Sequence, residues 1–151
     1  MKISAGKWLG LRRLADKSGL FKIVAVDQRP PIQNFIKSSL ESKKATWEHV
    51  AEVKRVLAES LASESSAVLM DPLFAWPAAH SVIRRDHGLM LTLEHAEFDD
   101  TALGRYSKVI PDWSVSKIKR AGADGVKLLA WYRPDAGDEV IEHQKNFVKQ
   151  I

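Results

Sequence analysis

An α/β fold built on a parallel sheet is the class this sequence predicts. Short apolar runs alternate with amphipathic helical segments, the pattern of β-α units. Four charged side chains, Asp27, Asp71, Glu94 and Lys127, each stand at or inside a predicted buried strand. Buried strands exclude unpaired charge. A series of strands ending in polar groups therefore describes the rim of a parallel α/β enzyme, where such folds keep their chemistry. About four strand–helix units fit into the 151 residues.

Ser4 is a predicted cap for a short helix carrying Trp8, Leu11 and Leu14 and stopping near Gly19. Residues 21–26 form an apolar run rich in β-branched side chains, read as the first strand. It ends in Asp27-Gln28-Arg29-Pro30-Pro31, where two prolines forbid continuation. Thr46 is expected to cap the next helix, with Trp47, Val50, Val53, Leu57 and Leu61 on one stripe. Residues 67–70 are the second strand, closed by Asp71-Pro72. A short helix is expected over 78–85, and a third strand over 89–93, ending at Glu94. A loop of about 16 residues follows, a length that is uncommon unless functional. Pro111 and Asp112 open a helix with Trp113 and Ile118 inward and Gly122 as its stop. Residues 126–131 are the fourth strand. Asp138 and Glu139 start a last helix that presents Val140, Ile141, Phe147, Val148 and Ile151 on one face, with acids suited to the helix dipole.

Composition narrows the function. Hydrophobic residues make up 45% and charged residues 28%, as in a core-forming chain, and the net charge is only +4. Basic and acidic residues are interspersed, and no nucleic-acid motif is present. Without cysteine there is no disulfide, thiolate chemistry or Cys-based zinc site. No signal-peptide pattern and no run of ~18 apolar residues is seen. A cytoplasmic protein without nucleic-acid or membrane partners is the expectation. Neither Gly-x-Gly-x-x-Gly nor a Walker loop occurs, so a nucleotide-binding version lacks its signature.

Lys127 is the sharpest chemical signal. It shares a strand face with Leu129 and Trp131. A lysine there either pairs with a carboxylate at the rim or serves as a functional amine, since its pKa shifts readily on burial. Asp27 either caps the turn before the prolines or stands beside a cationic amine as a proton-moving pair. Asp71 in Asp71-Pro72 reads first as a turn former. Glu94-His95-Ala96-Glu97 lacks the helical spacing of metal ligands. His80, His87 and His143 read as surface residues, and the five tryptophans as core.

These motifs together resemble the tagatose 1,6-bisphosphate aldolase family of class I aldolases. The matching stretches are 25–29, 65–72, 88–94 and, most strongly, 111–114 through 123–129 to Tyr132. The resemblance implies a (β/α)8 TIM barrel, of which this chain holds about the first four β-α units and stops within the fourth helix. It implies cleavage of a ketose bisphosphate into dihydroxyacetone phosphate and glyceraldehyde 3-phosphate through a lysine Schiff base, without metal or other cofactor. By motif match Asp27 looks like the family's catalytic aspartate. Lys127 looks like its second lysine, which supports the imine without forming it. Gln28, Arg29, Glu94 and Arg133 are the substrate-binding candidates. The imine-forming lysine and a further glutamate lie on later strands in the family, so residues 1–151 alone are expected to be inactive. Arg133 replaces the family's usual acidic residue and is similar to related sulfo-sugar phosphate aldolases. The partner implied is a phosphorylated sugar, with a homo-oligomer left open. Two other readings stand beside this one: a non-catalytic half-barrel that assembles with a second half, and a flavodoxin-like binding domain.

Overall fold

Ser4 caps α1 (Ala5–Leu14), its hydroxyl accepting the Lys7 N–H in the computed structural model, which describes residues 2–41 and 44–151. After β1 (Ile23–Ala25) the two prolines do more than stop a strand. They occupy the first turn of α2 (Pro30–Ser39), where a missing N–H costs nothing. This helix was not expected from the sequence. α3 (Trp47–Ala62) begins with a reciprocal capping box between Thr46 and His49. Its buried face is Val50, Ala51, Lys54, Ala58 and Ala62, rotated away from the expected stripe, so Trp47 and Leu61 are exposed. β2 (Ala67–Met70) falls where expected. α4 (Ala75–Ala79), continued by a 3-10 turn at His80–Val82, starts earlier than the predicted 78–85.

β3 (Gly88–Thr92) leads into the stretch expected to be a loop. That stretch instead folds as an antiparallel hairpin, β4 (Asp99–Thr101) and β5 (Gly104–Tyr106). Gly104 sits at φ +137°, and a Cβ there would press on Val140 and Ala136 at 3.1 and 3.2 Å. α5 (Val115–Arg120) is capped by Ser114 rather than opened by Pro111 and Asp112. β6 (Gly125–Lys127) is shorter than the expected 126–131, because its neighbour β3 ends at Thr92. Beyond it the Leu129 and Trp131 amides donate to the Glu94 carboxylate and the Ser107 hydroxyl instead of to a strand. α6 (Asp138–Val148) closes the chain.

The α/β class and the parallel sheet are borne out. The four longer-range strands lie in the order β1-β2-β3-β6, all parallel. Parallelism puts every strand's C-terminal end on one side of the molecule. Val26, Val68, Met70, Leu89, Leu91, Leu93 and Ile118 form the core with the alanines of α3 and α4. Small helical residues let the helices approach the sheet closely. Each large core side chain contributes about 1.5–3 kcal/mol through burial. β1 pairs only with β2, and β6 only with β3, so each has one edge without a strand among the described residues.

At the opposite end α1 lies across the starts of three strands. The Ser66 hydroxyl donates to the Leu14 carbonyl at 2.6 Å and accepts the Lys22 N–H at 2.9 Å. Arg13 pairs with Asp124 at 3.3 Å. Gly88 makes the closest approach: a Cβ there would stand 2.6 Å from the Arg13 carbonyl oxygen. The tryptophans are not the core residues expected. Trp8 and Trp47 are exposed, and Trp76, Trp113 and Trp131 are half-buried. His87, expected at the surface, is buried. No described helix is long and apolar enough to cross a membrane.

Between α3 and the sheet lies a fully buried ion pair, Lys54 with Asp71. The Lys54 amine also donates to the Val26 carbonyl at 2.8 Å. Asp71 accepts the Leu73 and Phe74 amides at 2.9 and 2.8 Å, so it is both the turn former expected and a counterion. Burial pulls the Lys54 amine below the ordinary lysine value, with Asp71 opposing. Lys54→Met strands the Asp71 carboxylate without its counterion, and urea unfolding at neutral pH should lose about 3–5 kcal/mol. Adding Asp71→Asn should recover part of that loss, because the remaining group is neutral. A Lys54→Met variant as stable as the wild type would refute this account.

Candidate active site

Lys127 is the last residue of β6 and lies in register with Thr92 of β3. Its amine donates to Asp27 Oδ2 at 2.9 Å and to Glu94 Oε1. Asp27 follows the end of β1 by two residues, and Glu94 follows the end of β3 by two. Side chains from three strand ends thus converge on one nitrogen. They do so because the strands are parallel and end on the same side.

Glu94 is the most heavily engaged of them, with a side chain only 4% exposed. Its Oε1 holds Lys127 and stands 3.6 Å from Arg29. Its Oε2 accepts the Leu129 N–H at 3.3 Å. Arg29 donates from a second nitrogen to the Glu94 carbonyl at 3.0 Å, while its Nε is buried and unpartnered. Two carboxylates therefore face two cations, which is the condition for burying charge at tolerable cost. The Glu94-His95-Ala96-Glu97 stretch does not converge on a common point. Glu94 turns to Lys127, and the His95 ring accepts the Glu97 amide at 3.1 Å.

Burial alone pulls the Lys127 amine down. Hydrogen bonds to Glu94 and Asp27, and the charges of both, outweigh it, and the amine stands above the ordinary lysine value of 10.5. At neutral pH Lys127 is an ammonium. It can donate hydrogen bonds and pass a proton between carboxylates, but it has no lone pair for attack on a carbonyl.

These groups line a cleft of about 240 Å³, shared with Gln28, Phe98, Ser107 and Trp131. Gln28 is exposed at the mouth, its amide donating to the Ala25 carbonyl at 3.3 Å. The structure thus brings together Asp27, Gln28, Arg29, Glu94 and Lys127. Arg133 does not join them. It is exposed, paired with Asp135 at 2.9 Å, and lines a neighbouring cleft of about 300 Å³ that shares only Trp131 with the first. Phe98 and Ser107 escaped the sequence reading because the hairpin that carries them in did. Lys54 escaped because an apolar stripe was sought, although it sits four residues after Val50 on the same helix face.

The DeoC/LacD family aldolase model matches residues 21–151. A tagatose 1,6-diphosphate aldolase of Streptococcus agalactiae is 30% identical over all of this chain and 46% of its own length. Tagatose 1,6-diphosphate aldolase 2 of Enterococcus faecalis is 33% identical over all of this chain and 45% of its own. Tagatose 1,6-diphosphate aldolase 1 of Streptococcus mutans is 28% identical over the same span and 46% of its own. The chain belongs to the DeoC/LacD family of aldolases. It spans about half the length of the curated relatives it matches.

The raised Lys127 pKa fixes a pH dependence. A raised lysine contributes stability that is fully present below its unfolded value, about 10.4, and lost as pH rises through the folded value. The stability gap between the wild type and Lys127→Met should therefore be flat from neutral pH to about pH 10 and shrink above that. Urea midpoints measured across the alkaline range test it. A gap that widens with rising pH would show that Lys127 is not held charged.

Proposed function

We propose that residues 1–151 form the N-terminal half of a class I aldolase with a (β/α)8 barrel. The whole protein then cleaves a ketose bisphosphate, such as tagatose 1,6-bisphosphate, into dihydroxyacetone phosphate and glyceraldehyde 3-phosphate. The observation that carries this reading is the Lys127 ammonium held between Asp27 and Glu94 at the ends of three parallel strands. Family membership and the names of the relatives support it. So do the four parallel strands in chain order, with no strand beyond either edge among the described residues, an arrangement that a second half would continue.

In a Schiff-base aldolase an amine adds to the substrate ketone, water leaves, and the iminium draws the electron pair of the breaking carbon–carbon bond. A carboxylate accepts the proton of the hydroxyl that becomes the aldehyde. Asp27 and Glu94, coupled through Lys127, suit that proton traffic. Lys127 itself does not suit the imine, because it is held protonated. Lys54 does not either, since it is fully buried against Asp71 and no sugar reaches it. By the family resemblance the imine-forming lysine belongs to the second half, and on this reading residues 1–151 alone are inactive.

Borohydride reduction in the presence of dihydroxyacetone phosphate tests this in the full-length protein. The covalent label should map to a lysine outside residues 1–151, and the isolated 151-residue chain should take up none. Lys127→Met should lower kcat for aldol cleavage by about 10²–10⁴-fold, the usual worth of a positioned proton-transfer group. Label on Lys127 itself, or full activity in Lys127→Met, would overturn the assignment.

A further inference from the structure

Arg105 on β5 stacks over two aromatic rings at once. Its guanidinium carbon lies 4.6 Å from the centre of Phe98 and 4.6 Å from the centre of Trp131. The two rings are 5.1 Å apart and tilted by 54°. Both rings line the Lys127 cleft, whereas Arg105 lines the neighbouring one, so the guanidinium backs the aromatic wall from outside.

Arg105 is itself held from two sides. Its Nε stands 3.3 Å from Asp100 on the facing strand of the hairpin. Its carbonyl accepts the Gln144 side-chain amide at 2.7 Å. Gln144 lies on α6, is only 2% exposed, and uses its other end to accept the Ser107 hydroxyl at 3.0 Å. The Ser107 oxygen in turn accepts the Trp131 N–H at 3.4 Å. A buried amide on α6 thus fixes the backbone behind Arg105 and, through Ser107, the backbone of Trp131. Trp131 lies beyond the end of β6 and is half-buried, so its ring is positioned by side-chain contacts and not by a strand.

We propose that Arg105 is a positioning residue for substrate selection: its guanidinium locks Phe98 and Trp131 into one wall of the Lys127 cleft, and that wall sets which substrate tail fits. A planar guanidinium covers two tilted rings, and a lysine ammonium cannot. The substrate named in the test rests on the aldolase reading above, whereas the locking of the wall does not.

The first arm is spectroscopic and uses the full-length protein. The Trp131 signal is the difference between each protein and the same protein carrying Trp131→Phe. Arg105→Met should red-shift Trp131 emission and raise its quenching by acrylamide, and Arg105→Lys should do the same. Arg84→Met, which removes an exposed arginine paired with Asp86, should change neither. The second arm is kinetic and uses the full-length protein. Arg105→Met should raise KM for tagatose 1,6-bisphosphate roughly ten-fold with kcat nearly unchanged, the pattern of lost ground-state and transition-state binding alike. Should Arg105→Met fail to fold, by far-ultraviolet circular dichroism, Arg105→Lys carries both arms. An unmoved Trp131 signal overturns the proposal. So does a fall in kcat with KM unchanged, which would place Arg105 in the chemical step. A moved Trp131 signal in a protein whose wild type cleaves no ketose bisphosphate removes the aldolase reading and leaves the locked wall standing.

Discussion

Glu94 is the constraint on which the functional end of the molecule depends. One nearly buried carboxylate meets Lys127 from β6, faces Arg29 from the start of α2, and accepts the Leu129 amide beyond the last strand. Each of those partners would be expensive to bury alone. Together with Asp27 they balance, and the balance holds only while the ends of β1, β3 and β6 stay in register. Sheet register and site chemistry are therefore the same fact seen at two scales. A slip of one residue in β6 would turn Lys127 toward the helix layer, leaving Asp27 without its ammonium partner and Glu94 with Arg29 as its one cation.

The two ends of the sheet divide the work. At the strand starts α1 is fixed by backbone approach at Gly88, by the Ser66 hydroxyl and by the Arg13–Asp124 pair. These contacts hold the helix against the strand starts. At the strand ends the backbone runs out and side chains take over its hydrogen bonds, as at Leu129 and Trp131. That is where a parallel α/β fold can host polar groups, because the chain there is not committed to a ladder.

The parts of this arrangement that the sequence made legible share one property: they break a local rule. A lysine inside Gly125-Val126-Lys127-Leu128 and acids at the ends of apolar runs are visible because buried strands reject charge. The Thr46 cap and β2 were legible from ordinary helix and strand signals. What stayed hidden obeys different logic. Pro30 and Pro31 signal a stop and a start with the same letters, and only the packing of α2 on α3 decides between them. The strands of the β4–β5 hairpin are three residues each and wholly or partly exposed, too short for periodicity to register. Lys54 stayed hidden because its partner Asp71 lies in another element, although it shares the helix face of Val50.

This difference in legibility follows a difference in how the two halves of the cleft are built. The Lys127 side is dictated by long-range strand pairing and cannot move without loss of the core. The Phe98 and Trp131 side rests on a local hairpin, a cation laid over two rings and one buried glutamine on α6. Changes there leave the pairing of the four-stranded sheet untouched. A cleft with one wall fixed by the fold and the other by a short hairpin can change the second wall without moving the first. The exposed Arg133, which shares Trp131 between its own cleft and that of Lys127, stands on the adaptable side. The wall built from residues 98–106 and 131–133 can then vary separately from the strand-end cluster of Asp27, Glu94 and Lys127.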